Sequence, residues 1–208
     1  MMITNSLHTA LRRGLTVISL AAFSLVVLVG CAQTPAGIER YLLPSPADQQ
    51  SSPESTAVTR TLLLRELRTA EFLDSEGLVL QLDAVSLNEA HNHRWAEPLP
   101  LQLRRQLRLG LQQQLGGLLL IDSDPGRRAD LQLQMEVDAF HGSYDGQALV
   151  AGRWLLLRPE GELVTARDFN VRVPLDDAGY PALVHALSRG WDSVTGDIAE
   201  ALSELDQL

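Results

Sequence analysis

From Ala129 to Ala139 apolar and polar residues alternate without a break, and no other pattern in this chain restricts its fold so tightly. Ala129, Leu131, Leu133, Met135, Val137 and Ala139 fall on one side, and Asp130, Gln132, Gln134, Glu136 and Asp138 on the other. A period of two belongs to a strand, so the segment predicts a strand with one dry and one wet face. Asp145-Gly146 supplies a turn into a second strand, Gln147 to Leu157, and Pro159-Glu160-Gly161 a turn into a third, Leu163 to Val173. Together they predict an antiparallel meander.

A wet-and-dry meander needs a cover for its dry face, and the sequence offers two helices. Tyr180, Leu183, Val184, Leu187, Trp191, Val194, Ile198, Leu202 and Leu205 recur at spacings of three and four, with Pro181 in the first turn. Upstream, Pro98 and Pro100 introduce a helix in which Leu103, Leu107, Leu111 and Leu115 recur every four residues, stopped by Gly116-Gly117. Arg104, Arg105, Arg108, Gln112 and Gln113 form its polar face. Thr61 to Leu67 and Leu78 to Val85 read as strands, joined by a turn through Asp74-Ser75-Glu76 and Gly77. Leu118 to Ile121 reads as a buried central strand, and Tyr41-Leu42-Leu43 as a short one. The expected fold is α/β (α+β): a single compact domain with a mixed, mostly antiparallel sheet and two amphipathic helices on at least one face. The face carrying Gln132, Gln134 and Glu136 is left to water or to a partner.

The first 30 residues follow a different grammar. They contain no acid, carry Arg12 and Arg13, and run apolar from Leu15 to Val29, which is the pattern of an export signal. A membrane-spanning helix needs about 20 apolar residues, more than this core offers. Leu28-Val29-Gly30-Cys31 resembles a bacterial lipobox, in which the chain is cut ahead of a diacylglyceryl cysteine. An uncleaved anchor and a free buried thiol are the competing readings. The chemistry calls for cysteine because a thiolate is nucleophilic enough to form the thioether. One acyl chain binds only reversibly, so diacylglycerol together with an N-acyl chain such as palmitate makes the durable anchor. Ala32, not Asp, follows the cysteine, which favours the periplasmic face of the outer membrane. The expected organisation is a signal peptide at 1–30, a Pro/Ser-rich tether at 31–60 with a short strand near 39–43, and the domain at 61–208. If Tyr41 already belongs to the folded domain, the tether from Cys31 is about eight residues and reaches at most about 28 Å.

Several function classes are excluded or unsupported. Without Arg12 and Arg13 the chain holds 15 arginines, no lysine and 26 acids, a balance of −11 that repels phosphate backbones, so nucleic acid is not an expected partner. With Cys31 lipidated, no thiol remains for a disulfide, a zinc site or cysteine catalysis. His91 and His93 place two imidazoles one residue apart, yet a third metal ligand is missing nearby, so they read as solvated loop histidines. No nucleophile elbow, phosphate loop or zinc-protease motif occurs, so neither a catalytic nor a metal site is expected. Trp154 and Trp191 sit at patterned core positions. Trp95, in Arg94-Trp95-Ala96-Glu97-Pro98-Leu99, stands where a strand hands over to a helix. It serves either to dock the fold together or, with Arg94 and Pro98, to contact a partner or lipid.

The lipobox, Tyr41-Leu42-Leu43-Pro44, the Arg94–Leu99 motif opening a Leu-rich helix, and the terminal helix with Trp191 resemble the ABC-type transport auxiliary lipoproteins. Phe140-His141-Gly142-Ser143-Tyr144-Asp145-Gly146 and Gly152-Arg153-Trp154 strengthen the resemblance, which covers nearly the whole mature chain. It implies a non-enzymatic outer-membrane component of an MCE-type lipid-transport apparatus, with a compact fold similar to the TolB N-terminal domain. The implied partners are an MCE-domain protein and an inner-membrane permease, with a homo-oligomer left open. Of the family's functional residues only Cys31 carries over. A periplasmic lipid-binding carrier, which needs a concave apolar pocket, and a structural envelope-stress lipoprotein are the alternatives.

Overall fold

The alternating segment becomes β6 (Leu131–Gly142), around which the sheet is built. In the computed structural model, which describes residues 37–45, 58–122 and 128–205, Ile38–Leu208 forms one compact unit. Cys31, the export segment and residues 46–57 of the tether lie outside the described residues.

The meander forms as expected. β7 (Gln147–Leu157) and β8 (Leu163–Pro174) pair antiparallel in sequence beyond β6. On its other edge β6 meets two branches. β2 (Arg60–Thr69) runs parallel along Leu131–Val137 and carries β5 (Leu118–Ile121), also parallel, outside it. Further along, Gly142 pairs with Leu80 of β3 (Gly77–Gln81). β4 (Leu87–Trp95) lies antiparallel to β3, and β1 (Glu39–Tyr41) lies parallel to β4 at the outer edge. The result is an eight-stranded mixed sheet whose two longest ladders are antiparallel.

Four sequence-based expectations are corrected, the first being the strand read from Leu78 to Val85, which ends at Gln81 and turns through Leu82–Ser86. Leu118–Ile121 is an edge strand, not a central one: it pairs with β2, and only Leu118 and Leu120 are buried. A four-residue apolar run has the same composition in either place. His91 and His93 lie in β4, not in a loop. Finally, the single dry face of β6 breaks at a bulge between Val137 and Ala139, where an extra residue reverses the parity of the strand. Phe140, not Ala139, then points with Val137 toward the helices, opposite Val150.

Helices α1 (Leu99–Gln114) and α2 (Tyr180–Leu205) cover one face of the sheet. Their stripes are buried as the spacing requires, including Leu103, Leu107 and Leu111 on α1 and Leu187, Trp191, Val194 and Ile198 on α2. The helices approach closely at Gly110, where an added Cβ would lie 2.8 Å from the Thr195 methyl. The Trp191 indole N–H donates to the Leu103 carbonyl at 3.2 Å across that contact. Trp191 also receives Phe140 and Phe169 edge-on, with ring centroids 6.3 and 6.5 Å away. Such edge-to-face pairs add to the burial of the rings themselves.

Candidate functional site

The segment that resembles the family most strongly, Arg94–Leu99, forms the corner between β4 and α1. Trp95 is 5% exposed and lies 6.2 Å from Phe140, ring to ring, so its indole is committed to the core. Arg94 is on the surface, donating to Glu76 at 3.0 Å and to the His91 carbonyl at 2.9 Å. Pro98 is exposed and caps the N-terminus of α1, where its missing N–H costs nothing. The structure therefore separates the three residues: one inside, one ion-paired and one at a helix start.

Around this corner the polar side chains of α1 are spent on the chain's own segment Tyr41–Leu43. Ala96 donates its N–H to the Tyr41 carbonyl at 2.8 Å. Gln102, fully buried on α1, accepts the Leu43 N–H at 2.8 Å and donates to the Glu97 carbonyl at 3.0 Å. Gln106, one turn on, donates to the Leu43 carbonyl at 3.0 Å. Two glutamine side chains thus supply the donor and the acceptor that a neighbouring strand would otherwise supply, and buried backbone groups require such partners. Leu43 itself is 4% exposed. The sequence contained the signal: Gln102 and Gln106 sit on the same stripe as Leu99, Leu103 and Leu107, where a polar residue is out of place.

A second group secures β1. The Tyr41 hydroxyl donates to Glu39 at 2.5 Å and lies 3.0 Å from His93 Nδ1, while His93 stacks on Tyr180 of α2 with centroids 3.8 Å apart. Burial, reinforced by the Glu39 carboxylate, pushes the Tyr41 phenol up to about 12. A phenol held neutral in this way is a hydrogen-bond donor, not a nucleophile. Among the described residues no cluster of three His, Cys, Asp or Glu side chains is placed to hold a metal.

Two cavities accompany these contacts. One, of about 280 Å³, lies between α1 and β5, with Arg104, Arg105 and Arg108 beside Leu101 and Leu120. Arg104 pairs with Asp122 at 3.1 Å and Arg105 with Glu97, so much of its positive charge is already neutralised. The other, of about 160 Å³, is lined by Leu80, Leu175 and Leu183 with Ser143, Gln147 and Tyr180. Both fall short of the ~300–1,000 Å³ common for small-molecule sites.

The corner and the clamped N-terminal segment lie within a recognisable sequence family. The profile described as the ABC-type transport auxiliary lipoprotein component matches residues 41–199, from the clamped segment to the last turns of α2. The chain belongs to this family. Within it, the chain is 32% identical over 180 residues to the intermembrane transport lipoprotein PqiC of Escherichia coli K12, covering 86% of this chain and 93% of that protein. The Shigella flexneri PqiC matches equally. A crystal structure of an uncharacterized protein, 30% identical, superposes with a TM-score of 0.69 over 80% of this chain and 99% of its own. A Xanthomonas campestris protein of 20% identity shares the fold, with a TM-score of 0.58 over 79% of this chain and 91% of its own. The family description is of a transport component, not of an enzyme. The clamp, starting at Tyr41, coincides with the start of the matched region.

Proposed function

We propose that this protein is an acyl-anchored lipoprotein of intermembrane lipid transport. Cys31 carries diacylglycerol and an N-acyl chain, and holds the domain at the periplasmic face of the outer membrane. There it docks a PqiB-like MCE-domain protein that spans the periplasm from a PqiA-like permease in the inner membrane. The observation that carries this reading is the match to PqiC over 93% of that lipoprotein's length. The clamp on Leu43 supports it, because an anchor positions a domain only if the tether is held where it meets the fold. Cavities of about 280 and 160 Å³ favour a docking role over carriage of a whole lipid.

The test is recovery of the protein from mildly crosslinked, solubilised membranes. An MCE-domain protein in the complex is the expected result; repeated recovery without one overturns the docking role. For the anchor, Cys31→Ser should accumulate as an uncleaved precursor. Normal cleavage and membrane retention of that variant would remove the lipobox reading.

A further inference from the structure

One end of the sheet collects apolar side chains that the fold does not use. β3 and β4 are joined there by the turn Leu82–Ser86, closed by the Leu82 N–H donating to the Ser86 carbonyl at 2.9 Å. Val85 at its tip is 92% exposed, and Leu82 and Leu87 on its shoulders are 59% and 45% exposed. The turn is pinned by its own side chain: Asp83 Oδ1 accepts the backbone N–H groups of both Val85 and Ser86 at 2.8 Å. The neighbouring β6–β7 turn adds Tyr144, 62% exposed, and is tied to this end by Ser143 Oγ donating to Gln81 Oε1 at 3.4 Å. At the foot of the β6–β7 turn, against the start of α2, lies the small cavity of Leu80, Leu175 and Leu183. Scattered exposed leucines are ordinary, but a hydrogen-bonded turn holding three apolar side chains together in water is not.

The register of β1 sets how far this end lies from Glu39. β1 is parallel to β4, with Glu39 opposite His93, so Leu87 and the tip lie beyond the level of Glu39 on the side of the start of β1. His93 to Leu87 spans about 20 Å of strand. The eight residues from Cys31 to Glu39 reach at most about 28 Å. A lipid on Cys31 can therefore meet a bilayer at the level of the tip and only a few ångströms beyond it.

We propose that the Leu82–Leu87 turn, with Tyr144 beside it, is a membrane-contact wedge that seats the domain against the periplasmic leaflet of the bilayer to which Cys31 is anchored. This rests on the lipidation of Cys31. The contact is apolar and interfacial, made to zwitterionic lipid: the cations at this end, Arg172 and Arg189, lie beside Asp145 and Asp176 at 3.8 and 2.8 Å, and Asp83 and Asp177 add negative charge. Two contacts, acyl chains and wedge, restrict rotation about the tether and so present one face of the domain to the periplasm.

The experiment uses the mature, acylated protein in phosphatidylethanolamine–phosphatidylcholine vesicles. With Cys31 acylated, Val85→Cys carries the sole free thiol and takes a polarity-sensitive fluorophore; Glu160→Cys, in the β7–β8 turn at the opposite end, is the control. Quenching by bromolipids should be several times stronger at position 85 than at 160. Equal quenching, or a water-like spectrum at 85 on vesicles that carry the protein, overturns the wedge while leaving the anchor intact. A label that changes only when a solubilised MCE-domain protein is added overturns it in favour of a protein contact. Absence of lipid on Cys31 by mass spectrometry overturns the anchor reading first, and with it the wedge.

Discussion

The backbone of Leu43 is held by side chains, not by a strand: its N–H donates to Gln102 at 2.8 Å and its carbonyl accepts from Gln106 at 3.0 Å, both partners lying on α1. This pair of contacts converts a sequence-local tether into part of the fold, and its removal is directly measurable.

Gln102→Leu leaves the buried Leu43 N–H and the Glu97 carbonyl without their partner. Orphaning a buried polar group costs about 1–3 kcal/mol, so the variant should unfold at lower urea. The Leu43 amide should also lose hydrogen-exchange protection ahead of β6. Retained protection at that amide would show that the clamp is not what holds the segment.

Gly152 stands opposite Val137 at the bulge of β6, with the Phe169 ring over it. A Cβ there would lie 2.1 Å from the Glu136 carbonyl oxygen and 2.8 Å from the ring. Gly152→Val should therefore destabilise by at least about 1–3 kcal/mol through overpacking, read by thermal unfolding. Phe169→Ala in the same background should not restore stability, because the clash with backbone remains.

Leu187 is 1% exposed on the stripe of α2. Leu187→Ala should cost about 2–5 kcal/mol in chemical denaturation, the usual range for emptying a packed site. A loss below about 1 kcal/mol would mean that the helix detaches readily from the sheet.

Tyr41 holds its proton more tightly in the folded protein, at about 12, than the ordinary phenol value of 10.0. Its contribution is fully present below the unfolded value and is lost as pH climbs through the folded one. Stability should thus fall between about pH 10 and 12, and Tyr41→Phe should flatten that part of the profile. An unchanged slope in the variant would assign the alkaline loss to other groups.

Much of this architecture was legible in residue order. The β6–β8 meander, both helices and the burial of Trp154 and Trp191 follow from periods of two and of three to four and from the turn residues between them. Local pattern does not reach positions that depend on a distant neighbour. The parity switch at Val137–Ala139 is enforced by β7, where a glycine faces the bulge. The edge placement of β5 is set by the outer edge of β2. Of β4 only the exit at Trp95 is legible, because Leu87–Trp95 is largely polar and pairs with β3 and β1 by backbone bonds that composition does not report. Of the site, the Arg94–Leu99 motif was visible, but Gln102 and Gln106 were not singled out, since nothing local says which backbone they would meet.

Residue order sets the meander, both helices and the family motifs, because periodicity and motif spacing are properties of neighbours along the chain. It also carries Cys31, whose chemistry is a matter of residue type and context. The packing of distant elements puts Trp95 inside, sets two glutamines on Leu43 and leaves Val85 in water. Those outcomes depend on which groups, tens of residues apart, compete to satisfy a buried N–H or to cover an apolar side chain. That competition is settled in space.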